Sequence, residues 1–239
     1  MQLKKILITG SCGTIGSSLV EYFSLDSAYD EIICMDNNEN QLFFQEQKYL
    51  KNKNIKFKLG DVRDLNRLND LFHDVDLVFH TAALKHVVIC ERSPVEAIQS
   101  NIHGVNNVIK AAVQNSVKKV IFTSSDKAVN PTNVMGTSKL MGERLITAAN
   151  ITYSSSGTVF ASTRFGNVLG SAGSVIPIFH NQIKSGGPLS LTDEDMSRFI
   201  MSINEATKLV VNSSLLAKGG EVFITKMPAI NIIDLAKVM

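Results

Sequence analysis

From residue 3 to about residue 164, short apolar runs alternate with segments whose apolar residues recur every three and four positions. The first run, Lys5-Ile6-Leu7-Ile8-Thr9, is almost wholly apolar and stops at Gly10, as a strand covered on both faces must be. Glu31 to Asp36, Ile55 to Gly60, Val75 to His80, Val120 to Phe122 and Thr158 to Arg164 also read as strands. Between them lie helix patterns: Ser17 to Phe23, Glu39 to Tyr49, a segment capped by Asp64 and reaching Phe72, a long one opening at Pro94, and Met135 to Ala149. The Pro94 helix is expected to bury Val95, Ile98, Ile102, Val105, Val108, Ile109 and Val113 along one stripe. Parallel neighbours need a crossover between them, and helices supply it. The fold class is therefore α/β, a doubly wound parallel sheet.

The turn after the first strand carries Gly10-Ser11-Cys12-Gly13-Thr14-Ile15-Gly16, with glycines three apart. This is a variant of the Rossmann dinucleotide fingerprint. Gly10 permits the tight turn, Gly13 lets backbone N–H groups approach a pyrophosphate, and Gly16 lets the helix sit close to the strand. Gly10, Cys12, Gly13, Thr14, Ile15 and Gly16 together form the candidate cradle. Asp36 lies 20 residues beyond Gly16, where a carboxylate accepts both hydroxyls of an adenosine ribose. Asn37 and Asn38 follow, with no arginine to hold a 2′-phosphate, so NAD is favoured over NADP. Asp61 and Val62 are placed to meet an adenine edge, and Thr81, Ala82 and Ala83 to lie under the cofactor. Lys85 and His86 are either a surface pair or two donors facing phosphate or sugar. Asn101, on the Pro94 helix, is a candidate cofactor contact that either organises the loop above it or satisfies nearby backbone.

The stretch from Phe122 to Lys139 leaves an apolar strand, passes small hydroxyl residues, and places a carboxylate beside an amine before a helix opens near Met135. Ligands of open α/β sheets gather outside the carboxyl ends of the strands. Ser125, Asp126, Lys127 and Lys139 are therefore the candidate catalytic face, an exposed turn pair at Asp126-Lys127 being the bland alternative. After Phe165 the composition changes to glycine- and serine-rich loops between short apolar pieces. Residues 1–164 are expected to form the nucleotide-binding unit, and 165–239 a smaller substrate-binding region interleaved with it. Arg164, Asn167 and Arg198 are its polar candidates. An arginine fork suits a diphosphate, although Arg198 fits a surface ion pair equally well.

A net charge of +2 and the lack of a dense basic stripe argue against a nucleic-acid partner. The three cysteines show no metal or redox spacing and fit a reducing compartment. No apolar run reaches the length of a membrane span, and the opening residues lack the apolar core of a signal peptide. A soluble, cytoplasmic protein with no resident metal is the expectation.

Five segments together carry a family resemblance: the glycine loop, Thr81 to Val87, Ser125 to Gly136, Arg164 to Val168, and Asp195 to Phe199. The chain resembles the extended short-chain dehydrogenases and, within them, the polysaccharide-biosynthesis UDP-N-acetylglucosamine 4,6-dehydratases. The resemblance implies an NAD-dependent enzyme that removes water from a UDP-sugar by internal hydride transfer from C4 to C6, working as a homo-oligomer. It implies that Asp126 protonates the departing hydroxyl, Lys127 takes the C5 proton, Ser125 bonds the C4 oxygen and Lys139 holds the nicotinamide ribose. Lys85, His86, Arg164, Asn167, Ser174, Val175, Ile178 and Arg198 are then the substrate contacts. A UDP-sugar 4-epimerase and a non-catalytic NAD-binding protein are the alternatives. Two departures stand out. The superfamily's usual tyrosine, four residues before its lysine, is Met135 here, and a thioether cannot take a proton from a sugar hydroxyl. Relatives also continue past the point matching Met239: if Met239 is the true end, part of the uridine side of the pocket is expected to be missing, and otherwise the chain is a truncation of a longer one.

Overall fold

The computed structural model describes residues 3–26, 28–171 and 173–239. The apolar runs become parallel strands: β1 (Lys5–Thr9), β2 (Glu31–Asp36), β3 (Ile55–Leu59), β4 (Leu77–His80), β5 (Lys119–Ser125) and β6 (Val159–Phe165). With β9 (Val222–Phe223) they form one sheet in the order β3-β2-β1-β4-β5-β6-β9. Strand order reverses between β1 and β4, which opens a crevice at their carboxyl ends.

Alternate residues of each strand feed two cores. Ile6, Ile8, Phe79 and Ile121 pack under α1 (Thr14–Ser24) and α9 (Ile203–Leu216). Leu7, Val78, Val120 and Phe122 pack under α3 (Leu65–Phe72), α6 (Gly104–Gln114) and α7 (Val134–Thr152). The Asp64 carboxylate caps α3 by accepting from Arg67 N, as the sequence predicts. Helix α2 (Glu39–Lys48) connects β2 to β3.

The helix opening at Pro94 differs from the expectation. It starts as α5 (Pro94–Ile98), after the short α4 (Val87–Arg92), and then winds through a wide π turn at Gln99–His103 before continuing as α6. An extra residue in one turn rotates everything before it relative to everything after it. Val105, Val108 and Ile109 are consequently buried, while Val95 and Ile98 are 61% and 40% exposed. A single apolar stripe along the whole segment is thus overturned.

Beyond β6 the chain leaves the large sheet and returns to it. β7 (Asn167–Val168) and β8 (Ser197–Met201) pair in parallel, and β8 pairs antiparallel with β10 (Ala229–Asn231) to make a small three-stranded sheet. Helix α8 (Val175–Lys184) lies between them in sequence, and α10 (Ile232–Val238) ends the chain. Helix α9 packs against α1, and β9 hydrogen-bonds in register with β6, so residues 203–223 complete the first unit. Among the described residues no helix is long and apolar enough to cross a membrane.

Candidate active site

The glycine loop is shaped by backbone crowding. Gly10 adopts a φ of +70°, and a β-carbon there would lie 2.6 Å from the Ala82 backbone. A β-carbon on Gly16 would overlap the Gly10 carbonyl, so α1 can approach β1 only with glycine at this place. Gly13 precedes the first turn of α1 with no side chain capping it, leaving N–H groups at the mouth of a cleft. That cleft, of about 580 Å³, is lined by Gly10, Cys12, Gly13, Thr14, Asp36, Asn37, Asp61, Val62, Thr81, Ala82, Ala83 and Lys85 among others. Asp36 closes one side: Oδ2 accepts from Cys12 N at 2.9 Å and Oδ1 from Asn38 N at 2.9 Å. Each oxygen keeps a second lone pair for a hydroxyl. The donors, the carboxylate and the space therefore fit a dinucleotide. Ile15 reaches the core and Gly16 is buried, so those two contribute backbone and packing rather than side-chain contact.

Asp61 is gripped by Arg63, with Nε on Oδ1 at 3.0 Å and Nη2 on Oδ2 at 2.7 Å. The guanidinium is the largest cause holding the Asp61 carboxyl down at about 2. Asn101 is 1% exposed and does not face the cleft. Its Oδ1 accepts from Leu84 N at 2.8 Å, and its Nδ2 donates to Leu84 O at 2.9 Å and to Ser138 Oγ at 2.9 Å. It is thus no direct cofactor contact but the clasp of the 81–86 loop, tied through Ser138 to α7.

The end of β5 carries the second half of the site. Asp126 Oδ1 accepts from Ser125 Oγ at 2.9 Å and from Lys127 Nζ at 3.0 Å. The same amine donates to Asn167 Oδ1 at 3.1 Å. Their side chains are partly buried, Asp126 at 18% and Lys127 at 30% exposure, so the pair is not an exposed turn. In-register pairing of His80 with Phe122 sets this strand end beside the Thr81–Lys85 wall of the cleft. Asn133 caps α7 by accepting from Gly136 N, and Glu91 of α4 accepts from Val134 N at 2.7 Å. Met135 is 3% exposed and packs with Cys90 and Ala97. Its thioether fills a small apolar core.

Lys139, 6% exposed, donates to Thr123 O at 3.0 Å, with Nζ 4.7 Å from the Phe122 ring centroid. Burial pushes its amine down to about 8. His80 is fully buried beside it, with Nδ1 2.7 Å from Thr9 Oγ1.

The outer candidates divide. Arg164 does not reach for a ligand with its fork: Nε and Nη2 both bind the buried Glu143 carboxylate, because β6 turns this side chain toward α7. Asn167 holds Lys127. Arg198, on β8, donates to the adjacent Ser197 O at 2.7 Å and makes no ion pair among the described residues. His86 lies against Gly173, where a β-carbon would overlap its ring, so the 81–86 loop meets Gly173. Ser174 opens α8 with a buried Oγ that has no hydrogen-bond partner among the described residues, Val175 begins the helix and Ile178 is 45% exposed. Sequence reasoning missed Glu143, although a carboxylate four residues after Lys139 in an apolar helix is a readable signal.

Residues 6–239 match the family described as polysaccharide biosynthesis protein. The chain belongs to this polysaccharide-biosynthesis family of extended short-chain dehydrogenases. Family members at hand include an uncharacterized membrane protein of Methanocaldococcus jannaschii, 50% identical over 99% of this chain and 70% of its own. A UDP-N-acetylglucosamine 4,6-dehydratase (inverting) of Campylobacter jejuni is 42% identical over 98% of this chain and 70% of its own. A UDP-glucose 4-epimerase of Rickettsia canadensis is 41% identical over 99% and 70%. Among solved structures, Pen from Bacillus thuringiensis superposes with a TM-score of 0.96 at 46% identity, covering 100% of this chain and 74% of its own.

Proposed function

We propose that this polysaccharide-biosynthesis protein is an NAD-dependent nucleotide-sugar 4,6-dehydratase acting on UDP-N-acetylglucosamine, in the cytoplasm. The observation that carries the reading is the hydrogen-bonded chain Ser125–Asp126–Lys127–Asn167 at the carboxyl end of β5. Its likeness to the Campylobacter enzyme supports it. Bound NAD supplies a reversible hydride acceptor for the sugar. Asp36 favours a free ribose over a 2′-phosphate, which would meet its negative charge.

The side chains supply the proton chemistry. Ser125 Oγ takes up the C4 hydroxyl and relays its proton along the 2.9 Å contact to Asp126 Oδ1. This path replaces the tyrosine that Met135 cannot imitate. Asp126, now protonated, gives that proton to the C6 oxygen, which leaves as water. Lys127 Nζ takes the proton from C5, and a proton returns to C5 at the end of the cycle, so two protons leave the sugar and two re-enter it. In the resting arrangement the Lys127 amine donates to two acceptors, Asp126 Oδ1 and Asn167 Oδ1. It acts as the C5 base in its neutral form, having released one proton to bulk water before the sugar enters, and closure of a dry site over the sugar favours that neutral state.

A second reading, a UDP-sugar 4-epimerase, is favoured by the Rickettsia relative. Epimerisation needs no base at C5 and no acid at C6, so it leaves Lys127 without a task. Incubation with UDP-N-acetylglucosamine and NAD separates the two by mass. Loss of one water supports the dehydratase. Unchanged mass with a new C4 isomer refutes it in favour of the epimerase.

A further inference from the structure

Glu143 has no part in the proton path, yet it is 3% exposed, one helical turn beyond Lys139 on α7. Residues four apart leave the same face of a helix, where a carboxylate and an amine normally pair. No such pair forms: Lys139 turns to the Thr123 carbonyl. Arg164 arrives from β6 instead and binds Glu143 through two prongs, Nε on Oε1 and Nη2 on Oε2. That geometry uses both carboxylate oxygens at once.

We propose that Arg164 is a positioning residue for Lys139: by occupying both oxygens of Glu143 it keeps the amine out of an ion pair and available to the dinucleotide cleft. The inference rests on reading Lys139 as the cofactor-side lysine. Few charged or titratable groups face this amine. Glu143 comes from its own helix, Cys90 from α4 and His80 from β4, while β5 offers only the Thr123 carbonyl and the Phe122 ring. Burial lowers the affinity of the amine for its proton, and Glu143 and Cys90 oppose that. A guanidinium bound to Glu143 weakens the opposition, so the lysine can exchange a proton near neutrality instead of remaining locked as an ammonium.

The test reads Lys139 directly and without cofactor. The protein is labelled with 13C at lysine Cε, its Lys139 resonance is identified by loss in Lys139→Arg, and the resonance is followed against pH. In Arg164→Met the freed carboxylate raises the midpoint by about 1 pH unit or more. Glu143→Gln leaves an uncompensated guanidinium and lowers it. The double variant returns toward the wild-type value. Unmoved midpoints, or two single variants shifting in the same direction, overturn the proposal. If Arg164→Met does not fold, Arg164→Lys, a point charge without the fork, must still give a smaller upward shift. A separate dinucleotide titration keeps the two readings apart. Shifted midpoints without dinucleotide binding leave the Arg164 role standing and remove the functional reading; binding with unmoved midpoints does the reverse.

Discussion

Asn167 Oδ1 lies 3.1 Å from Lys127 Nζ and joins a residue of the small sheet to the carboxyl end of β5. The carboxamide, expected to meet the substrate, also holds the amine through its oxygen. Asn167→Ala removes that hold and lowers the rate of water loss about tenfold to a hundredfold, the range expected when a reacting group is misplaced by about 1 Å. Dinucleotide affinity stays near the wild-type value, because Asn167 does not line that cleft. Single-turnover rates with a parallel dinucleotide titration check this. A variant losing both in proportion refutes the assignment.

Asn101 serves both backbone groups of Leu84. Asn101→Ala leaves the N–H and C=O of half-buried Leu84 without their partner, at up to about 1–3 kcal/mol for each group that water does not reach. Because Leu84 belongs to the wall of the cleft, dinucleotide affinity weakens with stability. Denaturant unfolding and a binding titration on the same sample check the pairing of the two losses. Lost stability with unchanged affinity dissociates the clasp from the cleft.

How much of this was legible in the chain follows from what each signal encodes. The bounds of β1 and β2 and the Asp64 cap are local facts, set by apolar runs and by one side chain meeting its own helix. Asp36 was findable because its distance from Gly16 is a spacing. The π turn at Gln99–His103 was not, since wide turns leave no simple periodic trace and reveal themselves only when Val95 and Ile98 come out exposed. Arg164 was misassigned because a strand residue's partner depends on which helix covers its face. Asn167 was expected near the site from its sequence context, but its hydrogen-bond partner lies 40 positions away, and no spacing rule connects them.

His80 gives the fold an acid-sensitive point. Burial, with the charge of Lys139 as the smaller cause, pushes its imidazole from 6.5 down to about 3. Between those values the unfolded chain binds a proton that the folded chain refuses. The contribution of the site is therefore complete above about pH 6.5 and shrinks as pH falls toward about 3. His80→Gln removes the group from both states. Its unfolding free energy, measured between about pH 6 and 4, must fall with a slope shallower by about 1.4 kcal/mol per pH unit. Equal slopes in the two proteins show that His80 takes its proton while folded.

Asp36 has its oxygens on the backbone of the glycine loop and on Asn38, so charge and geometry are separable there. Asp36→Asn keeps an acceptor for one N–H but removes the negative charge that repels a 2′-phosphate. NAD affinity falls about tenfold, in keeping with about 1.4 kcal/mol for a lost charge-assisted contact. The preference for NAD over NADP shrinks, because the phosphorylated ribose loses its repulsion. Paired titrations of both dinucleotides decide it. A preference left intact places the discrimination elsewhere in the cleft.

Lys127 can be tested as a base rather than as a charge. Lys127→Ala removes the amine and reduces water loss at least a thousandfold, within the range of acid–base catalysis, while dinucleotide binding persists. Lys127→Arg is the sharper variant. A guanidinium can still donate to Asp126 and Asn167, which preserves the charge and the two contacts seen in the structure. It cannot give up its proton at any accessible pH, so it cannot take one from C5. The arginine variant must therefore fold, bind dinucleotide and remain as inactive as the alanine variant. Near-wild-type dehydration by Lys127→Arg would mean that Lys127 acts only through its positive charge and that another group takes the C5 proton.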